Sequence, residues 1–106
     1  NWEILAAVFC GFFFLGYLSS FLFVAIEGLA PGSFSGLTQE YSSFDNFVYF
    51  SFISLLTIGY GDIVPATALT RTMIVILGLI GNFYTVIVTA IVIGKFLMNY
   101  KPKSED

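Results

Sequence analysis

The chain has 106 residues, 58% of them hydrophobic, 19% aromatic and only 10% charged, with a net charge of −3. A soluble domain of this size has too little interior to hide so much apolar surface, and with no basic patch nucleic acid is excluded as a partner. There is no histidine and one cysteine, Cys10, which excludes an intrachain disulfide framework and argues against a His/Cys metal centre.

In chain order, the charges mark the elements. None lies between Glu3 and Glu27, and none between Arg71 and Lys95. Two uncharged runs this long predict two membrane-spanning helices. The first, an outer helix over residues 4–27, has Trp2 as an interfacial anchor, Cys10 as a small hydrophobe, and Ser19 and Ser20 able to bond back to the helix or across it. Residues 28–42 are rich in turn formers such as Gly28, Pro31, Gly32 and Gly36, and predict an extracellular loop. Ser42 and Asp45 have the spacing of a capping box opening a short helix over 43–56. Its apolar stretch is too short to span and fits a re-entrant segment. Pro65 breaks the chain before a second long helix over 67–98, and a polar cytoplasmic tail, 99–106, reads as the start of a linker. Lys95, Lys101 and Lys103 gather at one end, Glu27, Glu40, Asp45 and Asp62 at the other, so both termini are expected in the cytoplasm. Arg71 is an exception that can snorkel to headgroups.

Between the short helix and Pro65 stands Thr57-Ile58-Gly59-Tyr60-Gly61-Asp62 (residues 57–62). Non-helical backbone at membrane depth is tolerated only when buried in protein or lining a wet cavity. Glycine visits positive φ at little cost, so Gly59 and Gly61, separated by Tyr60, allow alternate dihedrals that turn successive carbonyls to one side. Stacked carbonyls can replace the water shell of a cation.

In these residues the chain resembles the potassium channels, whose selectivity filter reads T-V/I-G-Y-G-D, and the order of outer helix, loop, pore helix, filter and inner helix extends the likeness over nearly the whole chain. The resemblance implies an all-α membrane protein, a tetrameric pore fold with two transmembrane helices, a short pore helix and an extended filter, in a single domain. It implies passive, potassium-selective conduction, with carbonyls of Thr57, Ile58, Gly59 and Tyr60 and the Thr57 hydroxyl on dehydrated potassium, Gly61 completing the filter, and Asp62 attracting cations at the outer mouth. The partial negative end of the pore helix would assist. The chain departs from some relatives in having Ile53 where a glutamate stands behind the filter, and Tyr49 and Phe50 where two tryptophans stand. Tyr49 can still donate to Asp62, Phe50 has no donor for Tyr60, and Ser54 is a substitute partner for Tyr60.

On the inner helix, Asn82, Thr85 and Thr89 fall at i, i+3 and i+7 on one face. They read as lining a water-filled vestibule, or as polar glue between helices. Ile93 or Leu97 is a candidate hydrophobic constriction. Gly81 stands where the family has a hinge glycine; close helix packing is the other reading. No nucleophile–base pair, metal cluster or phosphate loop supports an enzyme, and no cofactor is expected besides potassium as permeant ligand. Expected partners are the lipid bilayer of the plasma membrane, three further copies in a homotetramer, and a regulatory domain outside this chain. A less selective cation channel, a potassium transporter subunit and a membrane anchor are the competing readings.

Overall fold

A computed structural model describes residues 2–99. It is mostly helical: α1 covers Trp2–Leu29, α2 Ser43–Leu55 and α3 Ala68–Asn99, while two-residue strands β1 (Phe34–Ser35) and β2 (Val64–Pro65) pair antiparallel, Phe34 opposite Pro65 and Ser35 opposite Val64. Both long helices have the length and apolarity to cross a membrane. At about 1.5 Å per residue they reach roughly 42 and 48 Å, more than the hydrocarbon core requires. α1 begins two residues before the apolar run, since Trp2 and Glu3 are compatible with a helix in the headgroup region. Of the tail over 99–106, all but Asn99 lies outside the described residues.

The helices are joined by small residues and aromatic rings. The buried positions of α1, Gly16, Ser19, Ser20 and Phe23, follow the i, i+3, i+4, i+7 spacing of one helix face. A Cβ on Gly16 would overlap the Phe52 ring of α2. The Ser20 hydroxyl, fully buried, reaches the carbonyls of Gly16 at 2.8 Å and Phe47 at 3.3 Å. Without a hydrophobic driving force between helices in lipid, such close approach and hydroxyl bonding hold a bundle together. Toward the loop end Phe23, Phe34, Phe47 and Phe50 pack with ring centroids 4.9–6.3 Å apart, within the range where aromatic pairs attract beyond area burial.

The loop over α2 is held by specific polar contacts. The Glu27 carboxylate accepts the amides of Gly32 at 2.8 Å and Phe34 at 3.0 Å, so this residue folds the loop back on α1. The Asp45 amide donates to the Ser42 hydroxyl at 3.1 Å, the N-cap bond of α2. At the start of α3, Thr67 and Thr70 cap each other. The Thr70 amide donates to the Thr67 hydroxyl and the Thr67 amide to the Thr70 hydroxyl, at 3.2 and 3.1 Å, a capping box with threonine in place of glutamate. The Thr70 hydroxyl also donates to the Ser33 carbonyl at 2.9 Å, tying α3 to the residue before β1.

In the other half of the bundle, the Tyr84 hydroxyl donates to the Val8 carbonyl at 2.7 Å, and Gly11 leaves the space its ring end occupies. Tyr84→Phe is therefore expected to destabilise the protein by about 0.6–2 kcal/mol per chain, the measured range for interhelical bonds in membranes. Thermal unfolding in detergent measures this; an unchanged midpoint would assign the α1–α3 contact to packing alone.

Candidate functional site

The segment from Leu56 to Asp62 is positioned by the way α2 ends. Leu56 is its C-cap, and Thr57 has φ +59°. The Thr57 amide donates to the Ser54 carbonyl at 3.2 Å and the Ile58 amide to the Ile53 carbonyl at 2.8 Å. These are the two bonds of a Schellman motif, whose left-handed residue is ordinarily glycine. A β-branched residue there is a genuine outlier, at a cost of about 1–3 kcal/mol that surrounding structure must hold. A third amide, Gly59, also reaches the Ile53 carbonyl, at 3.1 Å. The turn out of α2 is thus over-determined, and this bonding holds Thr57.

From Thr57 the sign of φ alternates: Thr57 +59°, Gly59 +60° and Gly61 +84°, with Ile58 and Tyr60 negative. A strand keeps φ negative throughout and points successive carbonyls to opposite sides; alternate left- and right-handed dihedrals align like backbone groups on one face. The Thr57 hydroxyl donates to the Leu56 carbonyl at 2.6 Å, which leaves its oxygen lone pairs free. Ile58 is 46% exposed and Tyr60 71% exposed in the single chain. Among the described residues no hydrogen bond joins the Ser54 hydroxyl to Tyr60.

Above this segment the Tyr49 hydroxyl donates to Asp62 at 2.7 Å, and the other carboxylate oxygen accepts the Ile63 amide at 3.0 Å. The bond from Tyr49 holds the Asp62 carboxyl below the usual carboxylate range, and the same bond, helped by desolvation and the nearby negative charge, pushes the Tyr49 phenol up to about 12. The lowered Asp62 value means its contribution is present above about pH 3.9, the ordinary aspartate value, and lost as pH falls through the folded one. Tyr49 contributes fully below about pH 10, its ordinary value, and loses its contribution as pH rises through about 12. Tyr49→Phe is expected to remove much of the acid limb of the stability profile, read as thermal midpoint against pH from neutral to strongly acid. Identical limbs in the two proteins would show that Asp62 does not need this donor.

Below the segment, Asn82 and Thr85 line a cleft of about 180 Å³ together with Leu55, Leu56, Thr57 and Phe12, so α3 brings its polar stripe to the inner end of the alternating backbone. The Thr85 hydroxyl bonds back to the Gly81 carbonyl at 3.0 Å. Thr89, Ile93 and Leu97 are exposed in the single chain, further along α3. Gly81 is buried, and a Cβ there would meet Leu55 Cδ2 at 2.6 Å, which makes it a close-packing position against the end of α2. Two features of the site carry weak sequence signals: the cap role of Thr57, where glycine is the usual marker, and Gly36, whose Cα lies against the Asp62 carbonyl.

Two membrane-length helices flanking a short helix and a non-helical segment of alternating backbone define a two-span pore module. A family model described as "Ion channel" matches residues 2–98, and the chain belongs to that family, as a potassium-channel-like pore module. Its class of function is ion conduction across a membrane, in an integral membrane protein; the family is not one of enzymes. No curated protein and no solved structure matches the chain at a significant level.

Proposed function

We propose that four copies of the chain surround one axis and conduct potassium selectively and passively, with residues 57–62 as the filter. The observation that carries this reading is the alternation of φ from Thr57 to Gly61. Carbonyls of Thr57, Ile58, Gly59 and Tyr60, with the Thr57 hydroxyl oxygen, would replace the ion's water at successive levels, and Gly61 completes the run. Asp62, braced by Tyr49, raises the local cation concentration at the mouth. The exposed Ile58 and Tyr60 support assembly, since neighbouring subunits would cover them; Ser54 of one copy is then the donor available to Tyr60 of another.

Asn82, Thr85 and Thr89 line the vestibule, and Ile93 or Leu97 forms the constriction. A bend at Gly81 would lift α3 off Leu55, so packing and hinge are compatible roles for the same glycine. Conduction involves no chemical step and no cofactor; potassium is the permeant ligand. The protein sits in the plasma membrane with both termini cytoplasmic, its gate driven by a regulatory domain outside this chain. Flux into liposomes tests the reading. Potassium and rubidium should enter, sodium should not, and barium should block. Equal sodium flux would reduce the segment to a non-selective pore.

A further inference from the structure

α1 meets α3 on both sides of Gly81, and each is a single unbroken helix, Trp2–Leu29 and Ala68–Asn99. On the loop side of Gly81, Phe23 of α1 shares a buried cluster with Leu77 of α3. There Leu15 and Leu22 also face Met73 and Ile80 across one groove. On the terminal side, the Val8 carbonyl accepts the Tyr84 hydroxyl at 2.7 Å. Beyond it Ile4 and Leu5 face Val92 and Phe96 across a second groove. One helix thus lies along both arms of the other.

The turn of α3 best suited to bending also carries the directional contact. Thr85 returns its hydroxyl to the Gly81 carbonyl at 3.0 Å, and back-bonding of this kind bends helices. Gly81 adds no side chain to stiffen the same turn. Tyr84 stands between the two, and its hydroxyl end fills the space that Gly11 leaves on α1. The Phe12 ring centroid lies 6.1 Å from that of Tyr84. A carbonyl, a missing Cβ and a neighbouring ring therefore fix one phenol. A bend at Gly81 moves Tyr84 relative to the loop-side arm, to which α1 stays bound through Phe23 and Leu77. Bend and bond exclude each other unless α1 bends as well.

We propose that Tyr84, seated against Gly11 and bonded to Val8, is a latch that holds α3 unbent and so keeps the gate closed. The inference rests on the bend at Gly81 proposed above, and not on ion selectivity. Tyr84 is a positioning residue, since it acts through the angle of α3 and touches no ion. α1 serves as a splint across the hinge as well as an anchor in lipid.

Open probability in planar bilayers and thermal midpoint in detergent, measured together on the purified protein, test the latch. One interhelical bond in a membrane is worth about 2.7-fold in an equilibrium, and four chains bending together multiply this to roughly fiftyfold. Tyr84→Phe should raise the open-to-closed ratio by an amount between these limits, with the preference for potassium over sodium unchanged. Gly11→Ala, whose Cβ would fall on the hydroxyl, should raise the ratio too, and should add nothing in a Tyr84→Phe background. Ser20→Ala is the structural control. It removes a bond from α1 to the Phe47 carbonyl, away from the hinge, and should lower the midpoint without moving the ratio. A Tyr84→Phe protein with a lower midpoint and an unchanged ratio would make the bond structural only and overturn the latch. A lowered ratio would overturn it too, because the bond would then belong to the open state. Should neither protein pass ions, or both pass sodium freely, the filter reading falls, and the latch is read by distance instead. Spin labels at Leu97→Cys in the assembled protein should lie further apart with Tyr84→Phe than without it; identical distances would sink the latch whatever the flux.

Discussion

Gly59→Ala is expected to leave a folded, membrane-inserted protein that has lost potassium-selective flux. The reason is local. Gly59 has φ +60°, and no atom would lie within 4 Å of an added Cβ. Space is therefore not the obstacle; backbone conformation is. An L-residue in this region costs about 1–2 kcal/mol, and in a tetramer the four copies would sum to about 4–8 kcal/mol at one narrow level. The cheapest relief is to return φ to negative values. That turns the adjoining peptide planes, breaks the alternation between Thr57 and Gly61, and aims carbonyls away from the axis. Flux of potassium into liposomes should fall at least tenfold, or sodium should enter with it. Gly78→Ala is the matched control: Gly78 sits within α3 with nothing near its Cβ position and no positive φ, so alanine there should be neutral or stabilise by up to about 1 kcal/mol. If both variants conduct alike, the alternating backbone is not the selective element.

What could be read from the residues in advance depended on the range of the interaction. The two spans follow from where charge is absent, a property of contiguous sequence, and the N-cap of α2 follows from Ser42 and Asp45 three positions apart. Glycine marked the strained backbone at Gly59 and Gly61 for the same reason. Thr57 carries no such mark. It takes the left-handed cap position because three amides converge on Ile53 and Ser54, and a β-branched residue is a poor advertisement for that conformation. The bond from Tyr84 to Val8 spans 76 positions, and no local pattern pairs a tyrosine with one carbonyl so far away. In the sequence Glu27 ends the outer helix; its second role, accepting the amides of Gly32 and Phe34, exists only once the loop has folded back. The strand pair at Phe34–Ser35 and Val64–Pro65 is too short for alternation to reveal, and Pro65 on its own argues against a strand interior.

Gly36→Ala should be the more disruptive of the loop substitutions, although the sequence offers Gly36 only as one turn glycine among several. Its φ is +90°, and a Cβ would fall on the backbone carbonyl oxygen of Asp62, with Ile63 Cα 3.3 Å away. The obstruction is backbone, so no side-chain rotation relieves it. Either the loop lifts or the end of the alternating segment at Asp62 moves. Lifting the loop strains the neighbouring pair of Ser35 with Val64 and the bond from the Ala66 amide to the Ser33 carbonyl, 2.8 Å; moving that end shifts Asp62 away from the Tyr49 hydroxyl. The left-handed φ alone costs about 1–2 kcal/mol, and the overlap adds a further penalty of the size seen for overpacked sites, about 1–3 kcal/mol. A loss of about 2–5 kcal/mol per chain is a large share of the stability of a small domain. Gly32→Ala separates backbone strain from overlap, because Gly32 shares φ +90° but has nothing within 4 Å of its Cβ position. Thermal midpoints in detergent should fall well below that of Gly32→Ala, and potassium flux should fall with them. Equal midpoints for the two variants would mean that the loop yields freely, and that Gly36 does not clamp the backbone at Asp62.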